Sequence, residues 1–361
     1  MRYVDEFRDF TLARTIVENI NRIAIRPLTL MEVCGTHTMA IARFGIRNLL
    51  PPNIKLISGP GCPVCVTPQA LIDCFIELGR APNVILATFG DMIKVPGSRT
   101  TLEAERARGI DVRVVYSPLD SVIIARENPE KQVVFFGVGF ETTIPAVALA
   151  VLEAKELRLN NFSILSAHKL IPPAMVALAC DPEVAIDGFI CPGHVSAIIG
   201  SAAYEPITSK YGIPCVISGF EPLDILQSIF MLTRQIIEGQ AEVEVQYSRV
   251  VTQEGNPAAI KCLREVFEPD DSEWRGLGII PESGLQLRDE FSEFDASRFI
   301  NNQIPQPIEN KACECGSILK GLKTPSECQA FGKKCTPEHP LGPCMVSTEG
   351  ACSAEYRYAT R

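Results

Sequence analysis

The feature that most constrains the fold of this chain is a regular alternation of short apolar runs with helical stretches, starting near residue 54. Helical spacing of apolar residues predicts helices at Pro68–Leu78, Ile144–Leu157 and Pro173–Ala179. The predicted strands are Lys55–Ser58, Val84–Phe89, Val112–Tyr116, Gln132–Val138, Phe162–Ser166, Gly188–Cys191 and Pro214–Ser218. Nearly all-apolar strands that alternate with helices predict an α/β fold, with parallel sheets covered on both faces.

Several of these strands stop at clusters of small and polar residues. The clusters read SGPGCPVC, TFGDMIKVPGS, GVGFETT, SAHK, CPGHVS and SGFEP. Ligands of open α/β sheets bind at the carboxyl ends of the strands. We therefore predict two similar parallel-sheet α/β domains, at 54–150 and 151–240, around a cleft.

The remaining segments, 1–53 and 241–361, are assigned to N-terminal helices and a helical, loop-rich, cysteine-rich iron–sulfur region. A helix is predicted over residues 6–24, whose apolar residues share one face. They are Phe7, Phe10, Ala13, Val17, Ile20 and Ala24. After Val251 the segments EGNPAAIK, EPDDSEWRG, PESG and NNQIPQP predict loops.

The charge balance and the apolar runs exclude several classes of partner. The 34 Lys+Arg minus 43 Asp+Glu residues give a net charge of −9, and the chain has no basic stripe. Nucleic acid is therefore not an expected partner. The apolar runs are too short to span a bilayer, and the start, MRYVDEFRDF, lacks the pattern of a signal peptide. We expect a cytoplasmic protein that does not associate with membranes.

Fourteen cysteines in such a chain indicate metal binding or redox chemistry rather than a disulfide framework. Five of them are scattered and are interpreted as small buried apolar residues: Cys74, Cys180, Cys191, Cys215 and Cys262. Cys191 differs from the other four because it stands at a strand end beside His194. The other nine fall in two N-terminal motifs and the tail.

The first motif, MEVCGTHTMA, places Cys34 just before a predicted helix, whose dipole favours the thiolate. His37 could be a metal ligand, a proton donor or a hydrogen-bond partner. In the second motif, SGPGCPVCVTPQ, Cys62 and Cys65 form a C-x-x-C between a strand and a helix. This context suits thiols of depressed pKa that exchange with disulfides, and it also suits a soft metal.

The tail has the spacing C-x-C-x12-C-x6-C-x8-C-x7-C, with glycine and proline between the cysteines. The spacing matches neither paired zinc sites nor the close-spaced ferredoxin run, but four thiolates on loops suit a [4Fe–4S] cluster. We predict Cys328, Cys335, Cys344 and Cys352 as its ligands. Cys313 and Cys315 are then additional thiols, either redox partners or structural.

Two histidines, His168 and His194, each follow a predicted strand and are candidates to line the cleft. Other signals fail. The Gly137-Val-Gly139 segment lacks the third glycine of a dinucleotide fingerprint, and no P-loop occurs. The C-x3-C-x2-C of radical enzymes is also absent, because Ser58 stands four residues before Cys62.

The segments MEVCGTHT, GPGCPVC, FGVGFETT and the tail CxCG…FGKKCTPEHPLGPCMVSTEGAC together resemble the HypD family of hydrogenase maturation factors. The resemblance covers almost the whole chain. It implies a scaffold for the Fe(CN)2CO unit of [NiFe]-hydrogenases that works with a HypC-like small chaperone and a HypE-like cyanide donor. It also implies a [4Fe–4S] cluster in the tail, and an assembly scaffold with a redox function rather than a turnover enzyme.

By the same resemblance, Cys34 is the thiolate that holds the iron. Cys62 and Cys65 would complete that site or pass two electrons as a dithiol/disulfide pair. His37 would position ligands or protons. The residues that would line the cleft are Thr36, Glu141, Thr142, His168 and His194.

Two other readings compete with this one. A stand-alone, iron–sulfur-dependent thiol–disulfide reductase needs only the C-x-x-C and the cluster, and it leaves CGTHT unexplained. A structural zinc protein would bind zinc and lack colour.

Overall fold

The computed structural model describes residues 5–300, 307–308 and 310–358. The strands are β1 (Leu28–Glu32), β2 (Ile54–Ser58), β3 (Val84–Thr88), β4 (Asp111–Val114), β5 (Gln132–Gly137), β6 (Phe162–Ser166), β7 (Gly188–Pro192), β8 (Cys215–Ser218), β9 (Val243–Val245), β10 (Phe267–Trp274) and β11 (Gly278–Leu287).

The α-helices are α1 (Phe10–Ile23), α2 (Gly35–Arg43), α3 (Pro63–Val66), α4 (Gln69–Gly79), α5 (Leu102–Ala107), α6 (Pro118–Glu127), α7 (Ile144–Glu156) and α8 (Ile171–Cys180). They continue as α9 (Gly193–Ile199), α10 (Glu205–Tyr211), α11 (Pro222–Glu238), α12 (Pro257–Val266), α13 (Cys315–Leu319), α14 (Pro343–Val346) and α15 (Ala351–Tyr358). No helix among the described residues is long and apolar enough to cross a membrane.

Two parallel sheets form the centre of the molecule, which confirms the predicted α/β class. One sheet has the order β2-β1-β7-β8-β9 and the other has the order β4-β3-β5-β6. Most of their strands are almost wholly buried, as expected for parallel strands with helices on both faces, whereas the edge strands β4 and β9 are partly exposed. Each predicted strand is present to within two residues at either end.

The two sheets do not correspond to the predicted ranges 54–150 and 151–240, because each sheet contains a strand from the other range. Strand β2 pairs with β1 in the first sheet, and β6 pairs with β5 in the second. Strand β1, which the sequence analysis did not identify, lies between β2 and β7. Five residues after Pro27 are too few to show a periodic pattern, and partners distant in sequence hold this strand in place.

The segment after Val251 is more ordered than predicted. Helix α12 replaces the loop expected at EGNPAAIK, and β10 and β11 pair as an antiparallel ribbon where EPDDSEWRG and PESG predicted loops. The acidic β10 lacks alternating apolar residues, but buried Phe267 and Trp274 anchor its two ends. Most of NNQIPQP, residues 301–306, lies outside the described residues.

Helix α1 lies within the predicted range, with Asp9 accepting a hydrogen bond from the amide of Leu12 as its cap. Its predicted apolar face is only partly buried. Ile20 and Ala24 are buried, whereas Phe10, at the first turn, is 78% exposed. The described helix begins at Phe10, so this side chain stands at the end of the element, beyond the packed face.

Candidate functional site

Four motifs that are far apart in the sequence meet at one edge of the first sheet. Strands β2, β1, β7 and β8 are adjacent and parallel, so their carboxyl ends lie side by side. Cys62 follows β2, Cys34 follows β1, His194 follows β7 and Phe220 follows β8. The edge therefore gathers GPGCPVC, CGTHT, CPGH and SGFEP, in agreement with the expectation that strand ends form the site.

Cys34 caps the N-terminus of α2 and is buried. Burial raises the pKa of its thiol to about 12, while the backbone N–H groups of His37 and Thr36 favour the thiolate. The sequence argument identified the favourable helix end but not the burial, which dominates. Without a metal the thiol is protonated, and a metal ion that bound there would displace the proton.

The buried carboxyl of Glu32, at the end of β1, supports the Cys34 backbone. Its Oε2 accepts from the Cys34 amide at 3.1 Å, and its Oε1 accepts from the Thr38 hydroxyl at 2.5 Å. Burial raises the pKa of Glu32 to about 7. The loop that carries Cys34 is thus hydrogen-bonded to a carboxyl whose pKa is near neutrality.

His37 is fully buried, and its Nε2 lies 2.9 Å from the carbonyl oxygen of Gly219. A carbonyl only accepts, so Nε2 carries the proton and Nδ1, which has no hydrogen-bond partner, keeps a free lone pair. Burial lowers the pKa of His37 to about 4, so the ring is neutral at physiological pH. The Phe220 ring lies between those of His37 and His194, with centroid distances of 4.9 and 4.0 Å.

The cysteine-rich tail covers the CGTHT segment. The Thr36 hydroxyl donates to Oε1 of Glu349 at 2.7 Å. A Cβ at Gly35 would lie 2.5 Å from the Cβ of Glu349, so only glycine permits this approach. Glu349 stands between Cys344 and Cys352 in sequence, and the tail therefore reaches directly to the Cys34 loop.

The loops that carry Cys34 and the C-x-x-C are in backbone contact. The Gly35 amide donates to the Gly61 carbonyl at 2.7 Å, and a Cβ at Gly61 would lie 2.1 Å from the Cys34 nitrogen. Cys62 caps the short helix α3, and its sulfur accepts from the Cys65 amide at 3.3 Å. Burial raises the pKa of the Cys65 thiol, contrary to the depressed pKa expected for this motif.

A chain of thiols links the C-x-x-C to the tail. Cys65 is hydrogen-bonded through its side chain to Cys344 and to Cys62. The sulfurs of Cys344 and Cys315 are 2.6 Å apart, and Cys315 is in turn hydrogen-bonded to Cys313. Sulfurs in contact can exchange disulfide bonds with small movements. Cys344, which the sequence predicts as a cluster ligand, lies between Cys65 and Cys315 and also neighbours Cys352.

The remaining tail thiols form a second group: Cys313, Cys328, Cys335 and Cys352. Burial raises the pKa of Cys352, and the thiolates of Cys335, Cys313 and Cys328 raise it further, so these sulfurs are neighbours. The Leu341 amide donates to the Cys335 sulfur at 3.4 Å. A Cβ at Gly342 would lie 2.5 Å from the Cys313 sulfur, so glycine is needed beside this group.

No group of three or more His, Cys, Asp or Glu side chains in the described ranges is arranged to hold a metal ion. An iron–sulfur cluster differs from a single ion, because its ligands bind separate iron atoms around a larger body. Four neighbouring thiols on Gly- and Pro-containing loops, one of which accepts a backbone N–H, form a donor set with the chemistry that such a cluster takes.

The residues predicted to line the cleft differ in exposure. Glu141 is buried, with Oε1 accepting from the Ile171 amide at 2.9 Å and Oε2 unpartnered, while Thr142 is exposed. His168 is also buried, 3.0 Å from the Ser166 hydroxyl, beneath Phe267 of the ribbon. Glu141 and His168 therefore lie inside the protein, whereas Thr36 is partly exposed and His194 is exposed.

Comparison with known proteins identifies the family of the chain. The family model described as "HypD: Hydrogenase formation hypA family" matches residues 11–359. The "Hydrogenase maturation factor HypD" of Azotobacter vinelandii is 52% identical over 367 residues, which cover 99% of this chain and 97% of that protein. The protein of the same name from Escherichia coli K12 is 44% identical over 366 residues, covering 99% and 98%.

The chain belongs to the HypD family. It is thus a member of a family of hydrogenase maturation factors, as the motifs of the sequence implied. The recognised motifs are the segments that meet at the edge of the first sheet and in the tail that covers it.

Sequence reasoning missed several residues of this HypD-family site, among them Glu32, Phe220, Glu349 and Arg275. Glu32 and Phe220 each stand within or beside a recognised strand-end motif, so proximity to MEVC and SGFEP was an available signal. Glu349 stands within the recognised tail segment STEGAC, so it had the same signal. Arg275 had no such signal, since its partner Thr67 lies 208 residues away.

The five scattered cysteines were interpreted as buried. Cys74, Cys191 and Cys215 are buried, but Cys262 is only half-buried and Cys180 is exposed. Cys180 is the last residue of α8, where the helix end leaves its side chain uncovered.

Proposed function

We propose that this HypD-family protein is a scaffold on which the Fe(CN)2CO unit of a [NiFe]-hydrogenase is assembled. It would work with a HypC-like chaperone and a HypE-like cyanide donor, and its tail would hold a [4Fe–4S] cluster. The observation that carries the proposal is the backbone contact, at Gly61, between the Cys34 loop and the C-x-x-C end of the thiol chain. A single metal-holding thiol next to a redox relay suits assembly of an iron unit.

In this proposal Cys34 supplies one thiolate to the iron. Iron that bears cyanide and carbonyl is soft, and soft thiolates suit it. Binding would release the thiol proton, and the amides of Thr36 and His37 would stabilise the resulting negative charge. A unit that must later be surrendered needs few protein ligands, so the partner chaperone is expected to supply another thiolate.

We propose that His37 presents its own Nδ1 atom as a proton acceptor in a fixed position. Its Nε2–H is committed to Gly219, and its free Nδ1 is buried and neutral. Stacking on Phe220 keeps the ring orientation. The residue therefore positions protons or ligands near Cys34 rather than carrying a charge.

The thiol chain is proposed to pass two electrons toward the Cys34 site. When Cys62 and Cys65 form a disulfide, the Cys344 thiolate attacks the Cys65 sulfur and Cys62 leaves as a thiolate. Cys315 then attacks Cys344, which frees the Cys65 thiolate and leaves a Cys315–Cys344 disulfide. Each step breaks one S–S bond and forms one, so the electrons balance.

The proposed cluster ligands are Cys313, Cys328, Cys335 and Cys352, in place of a set that includes Cys344. When bound, the cluster would supply electrons one at a time to the neighbouring thiols. Cys352→Ser should lose iron, sulfide and the brown colour. Cys344→Ser should keep them, and the reverse result would return Cys344 to the ligand set.

The decisive experiment is infrared spectroscopy of the complex purified with its partners. Cys34→Ala should abolish the cyanide and carbonyl bands while leaving the tail cluster intact. Cys74→Ala, in α4, is the matched control, because it also removes a buried thiol and should keep both bands. If the Cys34 variant retains both bands at full intensity, the iron is held elsewhere and the proposal fails.

A thiol–disulfide reductase acting alone is the second candidate, favoured by the contact between Cys315 and Cys344. Such an enzyme has no need of Cys34. It predicts that Cys34→Ala leaves reduction of a disulfide substrate unchanged and that complexes with partner proteins carry no infrared bands.

A further inference from the structure

A narrow recess of about 70 Å³ opens beside the tail end of the thiol chain. Its lining consists of Gln69, Arg275, Gly276, Asn310, Cys313, Cys315, Gly316 and Leu341. On the scale where one water molecule needs about 10–15 Å³, this volume holds roughly five water molecules. The tip of a small molecule can enter, but a protein loop cannot.

Two glycines on the recess wall touch through their backbones. Gly276 has a φ of +82°, and a Cβ there would lie 2.4 Å from the Cα of Gly316. No side chain from either position can cover the opening. Cys315, otherwise buried, is therefore reached from this side.

The recess also carries a positive charge. Arg275 is held by its Nε, which donates to the Thr67 carbonyl at 3.1 Å, and its Nη2 has no hydrogen-bond partner. The nearby acidic residue Glu314 is occupied by an ion pair with Lys323. Among the residues that the structure describes, an incoming anion would thus meet a cation that has no ion-pair partner.

We propose that this recess is the port through which a small, negatively charged thiol reductant reaches Cys315 and reduces the Cys315–Cys344 disulfide. The inference rests on the proposed thiol relay, of which Cys315 is the outer member outside the cluster ligands. The loop that carries Cys62 and Cys65, at the inner end, contacts the Cys34 loop through the backbone of Gly61. Reducing equivalents would therefore enter at one end of the chain and be used at the other.

The exchange is balanced. The external thiolate attacks the Cys315 sulfur, the Cys315–Cys344 bond breaks, and Cys344 leaves as a thiolate with the electron pair. A second external thiol attacks the mixed disulfide and releases Cys315, so two external thiols become one disulfide. Cys344 is then free to attack Cys65.

Charge-selective alkylation of the anaerobically purified, reduced, cluster-loaded protein tests the port. Iodoacetate and iodoacetamide are compared, and labelling at Cys315 is measured by peptide mass spectrometry. The exposed Cys180 serves as the internal control. The rate ratio of anionic to neutral reagent should be about fivefold higher at Cys315 than at Cys180, as expected for one unit charge acting over a few ångströms in water. High salt should reduce this preference.

Three variants separate charge from structure. Arg275→Gln should remove the preference, whereas Arg275→Lys should keep most of it. Asn310→Asp should lower the preference without removing the acceptor that Asn310 Oδ1 offers to the Ala312 amide. This second charge variant remains informative if Arg275→Gln does not fold.

The inference is overturned if Cys315 stays unlabelled while Cys180 is fully labelled, or if the ratio is the same at both sites. It is also overturned if neither charge variant alters the ratio. These results are independent of the infrared bands. If Cys315 shows no charge-selective labelling while the infrared bands still depend on Cys34, only the port is rejected. If Cys315 shows charge-selective labelling but the bands do not depend on Cys34, only the scaffold is rejected.

Discussion

The buried carboxyl of Glu141 offers the sharpest energetic test of this structure. Its Oε1 accepts from the amide at the start of α8, and its Oε2 is buried without a partner. Glu141→Gln can keep the first contact through its amide oxygen and place its NH2 group where Oε2 was. The substitution therefore removes the ionisation with little change of shape.

The magnitude follows from the pKa. Burial raises the pKa of Glu141 from 4.5 to about 7, so the folded state holds the proton more tightly than the unfolded chain. The free energy of unfolding is then highest below about pH 4.5, falls as the pH rises to about 7, and is level above that. Between pH 5 and pH 8, ionisation of this carboxyl lowers the free energy of unfolding of the wild type by roughly 2.5 kcal/mol. The glutamine variant has no such ionisation and does not show this loss.

The assay is urea unfolding of both proteins, followed by circular dichroism at pH 5 and pH 8. The free energy of unfolding of Glu141→Gln minus that of the wild type should rise by roughly 2.5 kcal/mol between the two pH values. Glu153→Gln, on the exposed side of α7, changes the net charge equally and is the matched control. Its difference from the wild type should stay nearly constant.

A difference between Glu141→Gln and the wild type that is the same at both pH values would refute the reasoning. It would mean that the carboxyl is solvated in the folded protein. Difference infrared spectroscopy provides a check that does not depend on unfolding. A protonated carboxyl band should disappear near pH 7 in the wild type and be missing from the variant.

Two further predictions use the same physical argument. Burial lowers the pKa of Lys169, whose Nζ donates to the Ser272 hydroxyl, to about 8. The wild type should therefore gain roughly 3 kcal/mol relative to Lys169→Met between pH 7 and pH 10.5, measured by urea unfolding; a flat difference would contradict this. Phe220→Ala should raise the pKa of His37 from about 4 toward its ordinary value as water enters, while Phe220→Leu should raise it less. NMR titration of the ring measures this, and an unchanged pKa in both variants would show that Phe220 does not shield His37.

The α/β class and the identity of the motifs were available from the sequence. A buried parallel strand is a short apolar run and a surface helix repeats every 3.6 residues, so both are encoded in consecutive residues. For the same reason the C-x-x-C and the six tail cysteines could be recognised as candidate sites. The meeting of strand-end loops also followed, because parallel strands bring their carboxyl ends to one edge.

The tertiary structure alone decided which sheet each strand joins and which thiols are neighbours. Strand β1 lies between β2 and β7, which both follow it in the chain at very different distances, and Cys344 lies beside Cys65, which is 279 positions earlier in the numbering. Such contacts depend on how helices and loops pack over long sequence separations, and no local pattern records them. Burial likewise depends on the tertiary structure. The helix N-terminus, which the sequence reveals, favours the Cys34 thiolate, but desolvation by the packed surroundings raises the pKa of this thiol to about 12.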